Sequence, residues 1–336
     1  MRASPWVPAT CLVAMFSACT QTLAMADNGT QQPGRAAHGG SSVSWRDAIA
    51  AIATSDRYGG ITLREHEGLL PIGVDPESKL WEFVHVASGA PGKAIPARDP
   101  ATGRIVPDGD MGIVLVLLPG GTFWMGAQRY EENERNYDPQ AFGNEGPVHS
   151  VTLSPFFVGK YEVTQGQWLR WTGSNPSASR SLDDGTLPVT NVSWNDVDAA
   201  TRKAGLWLPT EAQWEYACRA GSSTPWWMGA DEADLAKGAV FGDAPLASVG
   251  SKAANRFGLF DTAGNVFEWC RDAHAEYSSS PVVDPCVSGG PSRVYRGGCW
   301  FLNAGGCRSA AREIGEPGDA DDLLGFRVVM DAGVVR

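Results

Sequence analysis

The hydrophobic pattern changes character several times along the chain, and each change predicts an element. "IVLVLL", Ile113 to Leu118, is an unbroken apolar run that predicts a strand buried on both faces. "GGTFWMG", Gly120 to Gly126, follows it as a second strand entered through a turn, and "LWEFVHV" reads as a further strand upstream. Ser44 precedes Trp45, Ala48, Ile49 and Ile52, which share one helical face, with Asp47 placed to complete an N-cap. Three more helix starts carry the same grammar, at Thr164-Gln165-Gly166-Gln167, Ser193-Trp194-Asn195-Asp196 and Thr210-Glu211-Ala212-Gln213. In each, a capping oxygen stands three residues before a polar side chain that can reach back to the free amides. On the third helix Trp214, Ala217 and Cys218 fall on one face, which turns Cys218 toward the core. Gly-, Pro- and Trp-rich loops separate these short elements, a pattern of neither a Rossmann unit nor a helix bundle.

Composition narrows the class. The 336 residues are 43% hydrophobic and 19% charged, enough for a substantial core, and 40 glycines with 22 prolines indicate many fixed turns. A net charge of −11 leaves no basic stripe to displace counterions, which argues against a nucleic-acid partner. Arg2 is the only charge before Asp27; "CLVAMFSACTQTLAM" is apolar but too short to span a bilayer, and Ala24-Met25-Ala26 fits a small-x-small cleavage site. Residues 1–26 thus read as an export signal, giving a periplasmic or secreted protein; "FSAC" also resembles a lipobox, with Phe16 a poor first residue, so a lipid anchor at Cys19 is the second reading. Residues 27–44 read as a flexible linker, 45–111 as an N-terminal extension packing on the core, and 112–336 as the main domain. No further segment reads as transmembrane.

The main domain carries "GGTFWMGA", "EGPVHSVTLSPFFVGKYEVTQGQW", "LPVTNVSWNDV", "LWLPTEAQWEYACRAG", "NRFGLFDTAGNVFEWCRD", "RVYRGGCW", "CRSAAR" and "LGFRVV", in that order. Together they resemble the sulfatase-modifying-factor family, the formylglycine-generating-enzyme domain. The resemblance implies an α+β, C-type-lectin-like fold, loop-rich and low in regular secondary structure. The family includes copper-dependent enzymes that oxidise a sulfatase cysteine, iron-dependent sulfoxide synthases and members of other roles, so fold does not select the chemistry.

The resemblance implies a structural calcium site from the side chains of Asp261 and Glu268 and the carbonyls of Gly264 and Val266, oxygen ligands of the kind a hard cation takes. In the copper enzymes, two cysteines follow the paired glycines at the fourth and ninth positions; here the fourth is Leu302 and the ninth is Cys307. Soft thiolates suit Cu(I), and an aliphatic Leu302 cannot coordinate it. Alignment from "AAR" instead places Cys307 two residues before Ser309, where the family has a structural cysteine, and implies a Cys218–Cys307 disulfide. Cys299 stands at the family's active-site serine, beside Trp300 as a pocket wall. It is either a reactive thiol, catalytic together with Cys307, or half of a structural bond to Cys286, with pairing to Cys270 a third option. His149 reads as structural, and no pair of histidines has metal-binding spacing.

Two functions follow. One is an exported, calcium-stabilised oxidase or oxygenase acting on a thiol or another reduced group of a protein, peptide or small molecule, using copper or iron, diverged from true formylglycine generation through Leu302. The other is a non-catalytic binding or accessory module on the same fold.

Overall fold

The computed structural model describes residues 43–179 and 185–334; the expected export signal, lipid anchor and most of the linker lie outside them. Two strands precede the main domain, β1 (Leu69–Val74) and β2 (Trp81–His85). Then come β3 (Ile113–Leu118), β4 (Gly121–Met125), β5 (His149–Leu153) and β6 (Phe156–Gly159). The remaining strands are β7 (Phe267–Ala273), β8 (Val282–Val283), β9 (Arg293–Arg296), β10 (Arg312–Gly315), β11 (Leu324–Gly325) and β12 (Val329–Asp331). They form a five-stranded sheet ordered β1-β2-β3-β6-β12, a four-stranded sheet β10-β9-β7-β11 and a three-stranded sheet β4-β5-β8. Every residue of β3 is buried, as its unbroken apolar run requires for a strand flanked on both sides.

β1 and β2 extend the sheet through β3, so residues 45–111 supply two of its five strands. The pattern of β1 was hidden by Pro71 and Gly73, between which the register slips by a bulge.

The helices begin where the capping pattern places them: α1 (Trp45–Ala53), α2 (Gln165–Thr172), α3 (Trp194–Lys203) and α4 (Glu211–Arg219), with a short α5 (Glu232–Gly238) after them. Thr164, Ser193 and Thr210 each close a reciprocal capping box. Short helices cannot hold themselves together in water, so these caps and the packing of one face fix them. α4 is buried on nearly every side and carries Glu211 and Glu215 into the molecule.

Those acids belong to a set of buried ion pairs. Arg296 bonds Glu211 and Glu215, Arg312 forks onto Glu211, Arg308 pairs with Asp138 and Glu145, and Arg327 forks onto Glu268. Loop-rich chain has few ladders to lock it. Bidentate guanidinium–carboxylate pairs supply direction instead, tying segments far apart in sequence.

Candidate functional site

β9 ends at Arg296, whose guanidinium is clamped by α4, so the segment after it starts from a fixed point. Gly297 and Gly298 follow with positive φ. At Gly298 (φ 73°) a Cβ would lie 2.7 Å from the Cys307 sulfur, so only glycine lets the two segments close. Cys307, at the end of a three-ten turn over Ala304–Cys307, therefore rests against the backbone immediately before Cys299. The structure brings these two cysteines together.

Neither sulfur meets solvent. Cys299 is 0% and Cys307 1% exposed. Cys307 packs among Trp226, Leu235, Ala239, Ala263 and Ala304, and burial pushes its thiol up to about 12, against the opposing N–H groups of Cys299 and Gly264. Burial also raises the Cys299 thiol, although the N–H groups of Phe301 and Leu302 oppose this. A protonated, enclosed thiol is a poor nucleophile and a poor metal ligand. Leu302 turns its side chain onto Gly306, and its carbonyl accepts from the Gly242 N–H at 2.7 Å.

The expected Cys218–Cys307 bond is not formed, and all five described cysteines are free thiols. Cys218 donates to the Thr262 carbonyl at 3.1 Å and lies 3.7 Å from the Ser309 hydroxyl. Ser309 thus holds the place opposite Cys218, while the three-ten turn directs Cys307 into the Trp226 cluster. The alternative bonds of Cys299 are not formed either. Cys286 is exposed, and Cys270 is enclosed with Trp214, Cys218 and Val294.

The two carboxylates expected to hold calcium are engaged within the protein. Both Glu268 oxygens accept from Arg327 at 2.6 Å, and Oε2 also accepts from the Trp214 indole at 2.7 Å. Asp261 Oδ2 accepts from the Gly250 N–H at 2.7 Å, and burial lifts its carboxyl to about 6. Gly264 is wedged so tightly that a Cβ would come 2.1 Å from the Val240 carbonyl, and the Val266 N–H donates to Glu162 at 3.1 Å. Burial, then the charges of Asp261 and Glu268, push Glu162 well above the usual carboxylate range. The Arg327 guanidinium thus occupies both oxygens of Glu268, one of the two carboxylates expected to hold calcium. Among the described residues no cluster of three or more His, Cys, Asp or Glu side chains is placed to hold a metal ion. Arg327 and Glu162 were the residues missed. "LGFRVV" displays the arginine, but nothing local reveals that it meets a carboxylate 59 residues away.

Outside the thiol pair the surface opens into a groove of about 670 Å³. Phe142, Asn144, Asn303, Gly305, Arg312 and Glu313 line it, and Phe142 is 66% exposed. Arg308 lines it too, fixed by Asp138 and Glu145 beneath the Phe142 ring. Trp300, next to Cys299, has a buried indole N–H with no acceptor. No membrane-spanning helix occurs among the described residues, none being long and apolar enough.

A family model described as "Sulfatase-modifying factor enzyme 1-like domain" matches residues 107–332. The formylglycine-generating enzyme of Streptomyces coelicolor is 32% identical over 65% of this chain and 89% of its own. Among solved structures, Treponema denticola variable protein 1 is 26% identical at a TM-score of 0.59, covering 67% of this chain and 98% of that one. PvdO of Pseudomonas aeruginosa is 29% identical at a TM-score of 0.52, covering 66% and 95%. The expected α+β, C-type-lectin-like architecture with modest regular structure is the one observed. The ordered motifs, the fold and the matched span make this chain a member of the sulfatase-modifying-factor, formylglycine-generating-enzyme-like family.

Proposed function

We propose that the chain is a binding module on the formylglycine-generating-enzyme fold and that it does not generate formylglycine. The observation that carries this reading is the state of the two sulfurs. Cys299 and Cys307 are enclosed, burial holds both protonated, and the remaining family position is the aliphatic Leu302. The groove beside them offers an exposed aromatic ring, amide side chains and two rigidly held arginines, Arg308 and Arg312, surfaces that suit an extended peptide. The apolar N-terminal run and Ala24-Met25-Ala26 support an exported chain.

A second reading rests on one specific contact. Cys307 lies against Gly298, beside Cys299, so an opening of the Phe301–Asn303 segment would present two sulfurs together, in keeping with a diverged thiol oxidase. Competition for Cu(I) against a coloured chelator separates the two. The binding-module reading expects no copper withdrawn by the native chain. Stoichiometric withdrawal that disappears in Cys299→Ala would favour the oxidase.

A further inference from the structure

On the far side of α4's N-terminus lies a second groove, of about 1030 Å³. Its walls mix apolar side chains, among them Ile61, Pro155, Trp207 and Val334, with polar ones, and Arg271 of β7 faces into it. Arg271 differs from the other arginines withdrawn from solvent. Arg98, Arg219, Arg296, Arg308, Arg312 and Arg327 each pair with a carboxylate. Arg170 donates to the carbonyls of Ser88, Gly109 and Met111. Arg293 stacks on Trp194 at 4.0 Å and donates to the Arg271 carbonyl at 3.3 Å. Arg271 meets the Cys286 thiol but has no carboxylate within ion-pair distance among the described residues, and its buried Nε–H has no acceptor.

The acids nearby are committed elsewhere. Asp272, next in sequence, accepts from the Glu211 and Val287 N–H groups at 2.9 and 2.8 Å. Asp284 on the groove wall accepts from the Ser154 N–H and hydroxyl, both at 2.7 Å. Asp331, also on the wall, accepts from the Gly333 N–H at 2.8 Å. A half-buried guanidinium left without a counter-charge on a chain of net charge −11 is an unfilled demand for one anion. Two carboxylates on the same walls repel a multiply charged one, and the apolar stretch of wall at Trp207 and Val334 can take a hydrocarbon body.

We propose that this groove binds a monocarboxylate with an apolar body, its carboxylate received by Arg271 and its body lying against Trp207 and Val334. A free aliphatic acid and the C-terminus of a polypeptide present the same chemistry. This site is separate from the peptide groove at Phe142 and Asn303 and does not depend on it.

The test is titration of the full chain with octanoate, and with an acetylated peptide ending in leucine as the free acid, read by calorimetry and Trp fluorescence. Octanol and the same peptide as its amide are the uncharged counterparts. Binding of either carboxylate, at least tenfold weakened in Arg271→Gln and partly restored in Arg271→Lys, supports the proposal, and the probe that binds identifies the source. Equal melting temperatures of the variants show that the loss is local. Absence of binding by both carboxylates, or equal binding by Arg271→Gln or by the uncharged counterparts, overturns it.

Discussion

Cys307 keeps its proton because its sulfur sits in an apolar cluster where a thiolate would be poorly solvated, and the N–H groups facing it do not offset that. The same argument covers Cys218, pushed up to about 11, and Cys270, raised well above an ordinary thiol by burial. Cys286 alone of the described cysteines is exposed. A thiol reagent applied to the native chain, followed by peptide mapping, should therefore label Cys286 quickly and the other four only after denaturant is added. Rapid native labelling of Cys299 would contradict the enclosed site. Asp272 makes a prediction in pH. Burial lifts its carboxyl to about 6 against two opposing N–H bonds, so the folded chain holds this proton after the unfolded chain, at an ordinary aspartate value, has released it. Ionisation then erodes stability as pH rises from about 4 to about 6, with no further loss above. Asp272→Asn should flatten that part of the stability profile by up to roughly 3 kcal/mol. Denaturant titrations at pH 4, 5, 6 and 7 would measure it, and an unchanged slope would show that another group carries the titration.

α4 is the element on which the site is built. Its capping box at Thr210 and Gln213 fixes where the helix begins, and one turn of it delivers Glu211 and Glu215 to Arg296 and Arg312. Removing the cap with Thr210→Ala should cost about 1 kcal/mol. Arg296→Met should cost more, roughly 2–3 kcal/mol, because it takes one partner from each of two buried carboxylates, leaving Glu211 to Arg312 and Glu215 to Arg219. The order of these two losses in urea unfolding is the check; a larger loss from the cap would mean that the ion pairs are not what anchors β9. The helix starts were legible in the sequence because a capping box is local, written within four residues. The partners of Arg296, Arg308 and Arg327 were not, because each pair joins segments brought together only by the completed fold. For the same reason the calcium reading of Glu268 could not be checked against Arg327 in advance, and the Cys218–Cys307 pairing rested on counting across a shortened loop whose turn sends Cys307 elsewhere.

At the scale of the molecule, the family-matched span of residues 107–332 leaves β1 and β2 outside it, yet both belong to the sheet of β3. β2 covers one edge of a strand that is buried along its whole length. A chain beginning at Gly112 should expose that edge and its apolar faces, and aggregate or unfold without cooperativity. A soluble, cooperatively melting fragment would show that the upstream strands are dispensable. The fold class was readable from eight ordered motifs. The sheet's true extent was not, since a proline and a bulge broke the alternation in β1. The central claim concerns the two enclosed sulfurs and the module they sit in. Its most direct test is incubation of a Cys-Thr-Pro-Ser-Arg peptide with the chain under air, with copper supplied, and measurement of the peptide's mass. The account predicts that the peptide keeps its cysteine. Metal-dependent conversion to the aldehyde, lost in Cys299→Ala and in Cys307→Ala, would contradict it and make those two residues the catalytic pair.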